Sequence, residues 1–469
     1  MKVKVLSRSA EESTRQRSND IHKIQRNLDP SLHPFEKARE YTRALNATKV
    51  ERMFAKPFVG ALSGHVDGVY CMAKHPKKLD WLVSGGGDGD LKLWSLSEQK
   101  SIWSTVGHKA MVTGVSSFLE GERFLSCSND RTVKIWDPTL ADLESDSLFG
   151  SSSSGLIGSS SGSSGSNNLI TPVATYSGKN AFSGISHHRS DNMFATSGSV
   201  IDIWDHDRAE PVQTLNWGVD TINTVKFNQT ETNIIASTGS DRTIILYDLR
   251  TSQPVTKLIM AMRTNAIAWN PMEAYNFMAA NEDHNVYALD MRKMDKAQNV
   301  LKDHVSAVMS VDYSPTGEEV VTGGYDRTIR LYNARQGHSR DIYHTNRMQR
   351  VFAVQYTMDN KFVVSGSDDG NVRLWKARAS EKMGSRDYRE RAHMEYAEKL
   401  KQKFANVPEI RRISRHRNVP KSIKTATHRK STMINSRKVK EDNVRKHTKK
   451  ENLKERIPER KKAIVSVKK

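Results

Sequence analysis

Short segments in which apolar and polar positions alternate recur through the middle of the chain. The clearest are LKLW, VKIW, IILY, IRLY and VRLW, each of which ends on an aromatic side chain. Alternation with a period of two places successive side chains on opposite faces of a β-strand. These segments therefore predict a series of half-buried strands.

The predicted strands belong to a long repeat. In six copies an Asp is followed six positions later by an aromatic residue or Leu: Asp88 to Trp94, Asp130 to Trp136, Asp241 to Tyr247, Asp283 to Leu289, Asp326 to Tyr332 and Asp369 to Trp375. A seventh, degenerate copy ends at Trp204, and the closing residues are spaced 42, 68, 43, 42, 43 and 43 residues apart. This period is typical of a four-stranded propeller blade. We therefore predict an all-β fold, a seven-bladed WD-repeat β-propeller over residues 57–376, with an N-terminal extension (1–56) and a basic, partly helical C-terminal region (377–469).

Polar residues recur in a fixed order within the repeat and can form a hydrogen-bonded chain across a blade. Three such tetrads are His65, Ser84, Asp88 and Trp94; His108, Ser126, Asp130 and Trp136; and His304, Thr322, Asp326 and Tyr332. Ser, His and Asp also form the catalytic triad of hydrolases. Because the set recurs blade after blade, a structural role is strongly favoured. We predict no catalytic residue and no enzymatic activity.

Other motifs that suggest chemistry have simpler explanations. The glycine-rich stretch 85–89 leads into a strand and lacks the following Lys-Ser/Thr of a phosphate-binding loop, so a blade turn is favoured. His187 and His188 have no partners at metal-ligand spacing, which favours a surface or turn role. Cys71 and Cys127 are too few for a disulfide framework, and Cys127 lies where blades bury small residues. The sequence thus predicts neither a metal site nor a cofactor.

The ends of the repeat indicate how the propeller closes. The last copy ends at Trp375 without an outer strand, whereas Phe58 to Leu62 precede the first Gly-His without a blade of their own. We expect this N-terminal segment to complete the last blade and remove an exposed sheet edge. The long gap before Trp204 contains a Ser/Gly-rich stretch, which predicts an inserted flexible loop over about 141–170.

Two segments outside the repeat predict amphipathic helices. Residues 34–54 and 386–404 place apolar side chains at helical spacing. The apolar stripe of each helix needs a partner surface. The pattern leaves open whether that surface is the propeller itself or a larger assembly.

The positive charge of the chain is concentrated at its C-terminal end. The chain has 73 Lys and Arg against 53 Asp and Glu, and residues 377–469 hold 30 of the former against 11 of the latter. A basic region on a near-neutral body suggests a polyanionic partner. No apolar run approaches the length of a membrane span and the N-terminus lacks a signal peptide, so we expect a soluble protein made in the cytosol, without a membrane partner. We expect residues 405–469 to contribute no propeller strand.

One part of this basic region combines charge with apolar anchors. Within EIRRISRHRNVPKSI, isoleucines are interleaved with the candidate RNA- or pre-ribosome-binding residues Arg411, Arg412, Arg415, His416 and Arg417. The guanidinium fork matches phosphate oxygens. A nuclear import signal would show a similar charge run, but the length of the basic region favours polyanion binding.

Several segments closely resemble the suppressor-of-fibrillarin (Sof) family of WD-repeat proteins. They are HPFEKAREYTRALNATKVERMFAKPFVGAL (33–62), MRTNAIAWNPMEAYNF (262–277), NEDHNVYALDMR (281–292), DHVSAVM (303–309), SGSDDGNVRLW (365–375) and EIRRISRHRNVP (409–420). The resemblance implies a nuclear, nucleolar scaffold of the small-subunit processome that works with the box C/D small nucleolar RNP on small-subunit pre-rRNA. The Ser-rich insertion departs from the tighter pattern of the family.

A second hypothesis rests on two short motifs at the ends of adjacent blades. Asp248 and Arg250, and likewise Asp290 and Arg292, resemble the Asp-x-Arg box with which substrate receptors dock on the adaptor of cullin-type ubiquitin ligases. Animal relatives of the Sof family are counted among such receptors. An Asp after the closing aromatic is also ordinary blade-turn chemistry, and the repeat favours that interpretation.

Overall fold

The computed structural model describes residues 35–118, 121, 123–138, 171–218, 220–449, 452–453 and 455–468. The chain forms two compact units. One consists of Met1–Pro57 with Arg378–Asn418, and the other of Phe58–Ala377 with Val419–Lys469. The C-terminal region predicted as one segment is thus divided after Asn418. The predicted insertion over about 141–170 lies outside the described residues.

The larger unit is a seven-bladed β-propeller, as the repeat predicts. The first blade follows strand β1 (Phe58–Ser63). The strands of blades 1 to 3 are β2 (Val69–Lys74), β3 (Trp81–Gly86), β4 (Asp90–Ser95) and β5 (Lys100–Val106); β6 (Val112–Ser117), β7 (Phe124–Ser128), β8 (Thr132–Trp136) and β9 (Ala174–Ser177); and β10 (Gly184–His187), β11 (Met193–Ser197), β12 (Ile201–Asp205) and β13 (Gln213–Leu215).

Blades 4 to 7 continue the same pattern. Their strands are β14 (Ile222–Phe227), β15 (Ile234–Gly239), β16 (Thr243–Asp248) and β17 (Gln253–Met260); β18 (Thr264–Trp269), β19 (Asn276–Asn281), β20 (Val286–Asp290) and β21 (Asn299–Leu301); β22 (Val308–Tyr313), β23 (Glu319–Gly324), β24 (Ile329–Asn333) and β25 (Asp341–Tyr343); and β26 (Val351–Tyr356), β27 (Phe362–Ser367) and β28 (Asn371–Lys376). Neighbouring strands pair antiparallel, so the turns of each blade lie alternately on the two faces of the propeller.

The core lies between neighbouring blades. The aromatic residues that close the third strands, such as Trp94, Trp136 and Trp375, are almost completely buried. Between blades 1 and 2, Leu91 and Trp103 pack with residues of the next blade, including Trp136. Each blade therefore buries the apolar face that it cannot cover alone, which explains why the repeat forms a closed ring.

The N-terminal strand closes the ring, as expected. Strand β1 pairs antiparallel with β28, with Leu62 opposite Val372 and Ser63 opposite Asn371. Leu62 is buried among residues of blades 1 and 7. Strand β1 thus completes blade 7 as its fourth strand.

The C-terminal end of the chain also joins the propeller, which contradicts the expectation that residues 405–469 contribute no strand. Strand β29 (Ile464–Lys468) pairs antiparallel with β17 and makes blade 4 five-stranded. The segment IVSVK is short, and its apolar positions match the edge that it covers: Ile464 and Val467 pack against the core of blades 4 and 5. The tail therefore closes one exposed edge of the propeller.

The described residues of the smaller unit form a cluster of three helices, α1 (Glu36–Met53), α2 (Tyr388–Lys403) and α3 (Pro408–Arg415). Ala44, Leu400 and Ile410 form its buried centre, and the Tyr41 and Phe404 rings meet edge to face at 6.0 Å. The apolar stripes predicted for the two segments outside the repeat therefore pack on each other and on α3.

In the described part of the larger unit, two further helices follow, α4 (Lys421–His447) and α5 (Glu459–Lys462). Most of α4 is exposed to solvent. Across the described ranges, no helix combines the length and the apolar character needed to cross a membrane.

Candidate interaction surfaces

The tetrad of blade 2 forms the complete predicted chain. His108 Nε2 lies 2.7 Å from Ser126 Oγ, and His108 Nδ1 lies 3.0 Å from Asp130 Oδ2. Trp136 Nε1 donates to Ser126 Oγ at 2.8 Å. These hydrogen bonds join strands β7 and β8 to the loop that precedes β6. All four side chains are buried or nearly so.

The tetrad of blade 6 has the same His-centred hydrogen bonds, but its closing aromatic residue donates to a backbone carbonyl oxygen. His304 bridges Thr322 Oγ1 (2.7 Å) and Asp326 Oδ2 (2.9 Å). The Tyr332 hydroxyl donates to the Lys302 carbonyl oxygen at 2.7 Å. Burial raises the pKa of Asp326, but the His304 ring and the other partners of the carboxylate outweigh burial and leave its pKa below the ordinary range.

The tetrad of blade 1 lacks one predicted link. His65 Nε2 and Trp94 Nε1 each lie 2.7 Å from Ser84 Oγ. His65 Nδ1 is buried without a hydrogen-bond partner, and Asp88 instead accepts from the backbone N–H of Asp90 at 3.1 Å. Burial, with a contribution from Lys92, lowers the pKa of His65 to about 4. Asp88 is therefore a turn residue and not a member of a continuous chain.

The remaining sequence candidates also have structural positions. Gly89 adopts φ +89°, and a Cβ there would lie 2.2 Å from the His108 carbonyl oxygen, so the glycine-rich stretch is a tight blade turn. His188 Nδ1 accepts from the backbone N–H of Asp191 at 3.0 Å, which is the predicted turn role. His187 is not a plain surface residue, because its Nε2 lies 3.2 Å from His206 Nε2. In the part of the chain that the structure describes, no three His, Cys, Asp or Glu side chains are grouped to hold a metal ion.

The two Asp-x-Arg motifs occupy equivalent places at the ends of the third strands β16 and β20. Asp248 accepts from the backbone N–H of Arg250 at 2.9 Å and from its guanidinium at 3.3 and 3.4 Å. Asp290 holds Arg292 in the same way, at 2.9, 3.1 and 3.0 Å. The Arg side chains nevertheless remain 69% and 60% exposed. Each Asp thus fixes its turn and orients a solvent-facing Arg on the same face of neighbouring blades.

The residues of the predicted arginine cluster differ in exposure and in hydrogen bonding. Arg411, Arg412 and Arg415 are exposed on α3, and His416 follows at its end, also exposed. Arg417 instead donates to the Ser414 carbonyl oxygen at 2.6 Å. Cations at a helix C-terminus stabilise its free carbonyl groups. Arg417 therefore caps α3, and the other four residues are free to contact a partner.

The structure adds a basic surface that the pattern of prolines and charges did not reveal. Helix α4 has nine Lys and Arg and two acidic residues, and its residues 431–441 are all exposed. Neither strong amphipathicity nor a cap marks this helix in the sequence. One of its residues, Lys430, donates to the carbonyl oxygen of His304, which lies far away in the chain.

Fold and surfaces together define a WD-repeat β-propeller with a helical, basic C-terminal region, and comparisons with known proteins agree. The model of the "WD domain, G-beta repeat" matches residues 56–95, 99–137, 209–248, 295–333 and 337–376. The model of the "Sof1-like domain" matches residues 377–464. The chain is 50% identical to "Protein SOF1" of Saccharomyces cerevisiae, over 99% of this chain and 94% of that protein. It is 46% identical to "DDB1- and CUL4-associated factor 13" of Xenopus laevis, over 96% of each chain, and 46% identical to the mouse protein of that name, over the full length of both. The chain belongs to the Sof1 family.

Proposed function

We propose that this protein is a non-catalytic scaffold in ribosome biogenesis. It works in the nucleolus, where it joins proteins of the small-subunit processome to the box C/D small nucleolar RNP and small-subunit pre-rRNA. The observation that carries the proposal is a Sof1-like domain that concentrates the positive charge and follows, in the sequence, a propeller of near-neutral composition. The propeller offers faces and rims to proteins, while the basic region supplies phosphate contacts.

The non-catalytic part of the proposal is supported by the tetrads. The Ser, His and Asp side chains that could suggest a hydrolase lie inside the blades, where Ser126 and Ser84 already accept from a tryptophan N–H. A nucleophile needs access to substrate and a base that takes its proton. These serines are instead fixed parts of the blade framework.

Crosslinking in cells tests the proposal. The protein is crosslinked to RNA by ultraviolet light, and the RNA recovered with it is sequenced. We expect enrichment of small-subunit pre-rRNA and box C/D small nucleolar RNA, and nucleolar fluorescence of a tagged copy. Recovery of messenger RNA without these species would contradict the proposal.

A second candidate function, a substrate receptor of a cullin-type ubiquitin ligase, is supported by the matched geometry of Arg250 and Arg292. Both guanidinium groups are oriented by an Asp and exposed on neighbouring blades. The name of the Xenopus and mouse relatives associates those proteins with DDB1 and CUL4. We expect an adaptor of this class to dock on the face that carries the two Arg residues.

Charge reversal tests this docking surface. Arg250→Glu with Arg292→Glu is expected to abolish co-purification of the adaptor, since charge reversal at an interface typically costs several kcal/mol. Arg335→Glu is the matched control: Arg335 follows the third strand of blade 6, its backbone N–H bonds Asn333 in the same type of turn, and its side chain is exposed. Unchanged adaptor binding by the double variant would rule out these residues as the dock.

A further inference from the structure

Helix α4 is long, basic and exposed. Its 27 residues span about 40 Å at 1.5 Å per residue. Arg437, Lys438 and Lys440 all lie within the fully exposed stretch 431–441. A helix that buries little apolar surface, as α4 does with Ile423, gains little from packing and needs other support to remain ordered. The structure provides that support near both of its ends.

The first turns of α4 are attached to the propeller. Ile423 is buried, and Lys430 Nζ donates to the His304 carbonyl oxygen at 2.9 Å. Burial lowers the pKa of Lys430, and the nearby carboxylates, Asp283 first among them, oppose that effect. His304 belongs to the tetrad of blade 6, so α4 lies, at Lys430, over the loop that carries this tetrad.

The residues that follow α4 hold its far end. Arg456 forms ion pairs with Asp442 and Glu441, the two acidic residues of the helix. The acidic side chains are thereby engaged within the chain. The outward surface of the helix keeps its basic character.

The same segment is fastened to the edges of blades 4 and 5. Glu459 pairs with Lys302, and the Arg460 carbonyl oxygen accepts from the Ala297 N–H at 3.0 Å. Ala463 is buried in the core of the two blades. Strand β29 then pairs with β17, with Val467 opposite Leu258. The C-terminal strand is thus the final anchor of a segment that holds α4.

We propose that α4 is the main RNA-binding element of this protein and that β29 keeps it ordered for that purpose. The inference rests on the proposed function and deepens it by assigning the phosphate contacts to a helix fixed at both ends. Charge complementarity identifies the partner, because the helix presents cationic side chains along about 40 Å and RNA presents a continuous row of phosphates. Because α4 is already ordered before RNA binds, less conformational entropy is lost when the complex forms.

Two variants of the full-length protein distinguish the effect of the positive charge of α4 from the effect of its anchoring by β29. The charge variant carries Arg437→Gln, Lys438→Gln and Lys440→Gln. The anchor variant carries Ile464→Ser and Val467→Ser, which remove apolar packing and leave every charge in place. Its matched control is Val465→Ser, since Val465 lies on the same strand with its side chain exposed.

Binding of a fluorescently labelled RNA stem-loop is measured by anisotropy over a salt series. For the charge variant we expect weaker binding and a log–log salt slope that is shallower by roughly 0.7–0.9 per lost contact. For the anchor variant we expect affinity to fall by about tenfold with the slope retained, because the charges remain but must be ordered on binding. Val465→Ser is expected to bind like the unaltered protein.

Other outcomes separate this inference from the proposed function. Loss of binding on changing Arg411, Arg412 and Arg415 to Gln, with normal binding by both α4 variants, would overturn the role of α4 and leave RNA binding intact. Absence of stem-loop binding by the unaltered protein would overturn both. Normal RNA binding by the charge variant, with loss of an acidic protein partner instead, would assign α4 to that partner and overturn the inference. Circular dichroism melting confirms that each variant is folded.

Discussion

At the scale of single residues, the tetrads of blades 6 and 1 differ in the hydrogen bonds that their Asp side chains accept. Asp326 accepts from the His304 ring and from both the N–H and the hydroxyl of Thr328. Asp88 accepts from one backbone N–H at an exposed turn. Two residues at the same place in the repeat therefore contribute differently to stability.

Replacing these two residues by Ala measures the difference. Asp326→Ala leaves buried donors of His304 and Thr328 without an acceptor, so we expect the free energy of unfolding to fall by about 1–3 kcal/mol. Asp88→Ala, the matched control, is expected to change it by no more than about 0.5 kcal/mol. Urea unfolding followed by tryptophan fluorescence gives both values. Equal losses would show that the His–Asp link does not contribute.

A buried histidine predicts how stability depends on pH. The pKa of His65 is lowered to about 4 by burial, below the value of about 6.5 expected in the unfolded chain. The unfolded state therefore binds the proton more readily. The stabilisation is fully present above pH 6.5 and is lost as the pH falls towards 4.

The His65→Gln variant tests this dependence. Between pH 7 and pH 5 we expect the free energy of unfolding to fall by about 2 kcal/mol less in the variant than in the unaltered protein. The exposed His393, changed to Gln, serves as the control and should leave the pH dependence unaltered. An identical acid loss in His65→Gln would show that His65 is protonated as easily in the fold as in the unfolded chain.

At the scale of secondary-structure elements, the helical cluster contains two ion pairs between the same helices in different environments. Lys403 and Glu40 lie 2.5 Å apart with side chains 9% and 6% exposed. Lys401 and Glu51 lie 2.9 Å apart and are far more accessible. Removing one partner of a buried pair leaves a charge without compensation, whereas a surface pair is screened by water.

Lys403→Met is expected to destabilise the packing of α1 on α2 by about 3 kcal/mol. Lys401→Met should cost less than about 1 kcal/mol. Hydrogen exchange of the α1 and α2 amides in the full-length protein reports the local opening free energy. Restoration by adding Glu40→Gln to Lys403→Met would confirm that the cost comes from the uncompensated carboxylate, and absence of restoration would attribute it to packing.

The elements that the sequence predicts are those whose partners lie close in the chain or recur with the repeat. The seven blades follow from spacing alone, and the closing strand follows because Phe58 to Leu62 and Trp375 each lack a neighbour. The resemblance to the Sof family is confirmed by the comparisons with known proteins, whereas the docking role of the two Asp-x-Arg motifs stays a prediction. Local pattern was sufficient for the blades and for the closing strand.

The elements that the sequence did not predict depend on distant partners. The edge that β29 covers lies some two hundred residues earlier in the chain, and five residues of alternating pattern do not identify it. The motif does not reveal that the hydrogen bond between His65 and Asp88 is absent. Both residues are present in the sequence, but His65 Nδ1 has no hydrogen-bond partner. Likewise the hydrogen bond from Arg417 to the Ser414 carbonyl oxygen is not evident from the charge pattern, and the RNA-binding role of Arg417 stays a prediction.

At the scale of the whole molecule, helix α4 and the pair of exposed residues Arg250 and Arg292 are associated with opposite faces of the propeller. A third strand runs from the turn that carries the tetrad Asp to the turn that carries the Asp-x-Arg motif, a distance of about 20 Å for six residues at 3.3 Å each. Helix α4 is attached at His304, on the tetrad face. Arg250 and Arg292 extend from the other face.

This arrangement predicts that RNA and the adaptor bind independently. Saturating stem-loop RNA should leave the dissociation constant of the adaptor unchanged within about twofold, since a coupling free energy requires shared contacts or a shared two-state element. The Arg250→Glu, Arg292→Glu double variant should bind RNA normally, and the α4 charge variant should bind the adaptor normally. Titrations of labelled adaptor with and without RNA measure the coupling. Competition between the two partners would place them on one face, or connect the faces through a conformational change, and either result would contradict the independent surfaces inferred from the blade geometry.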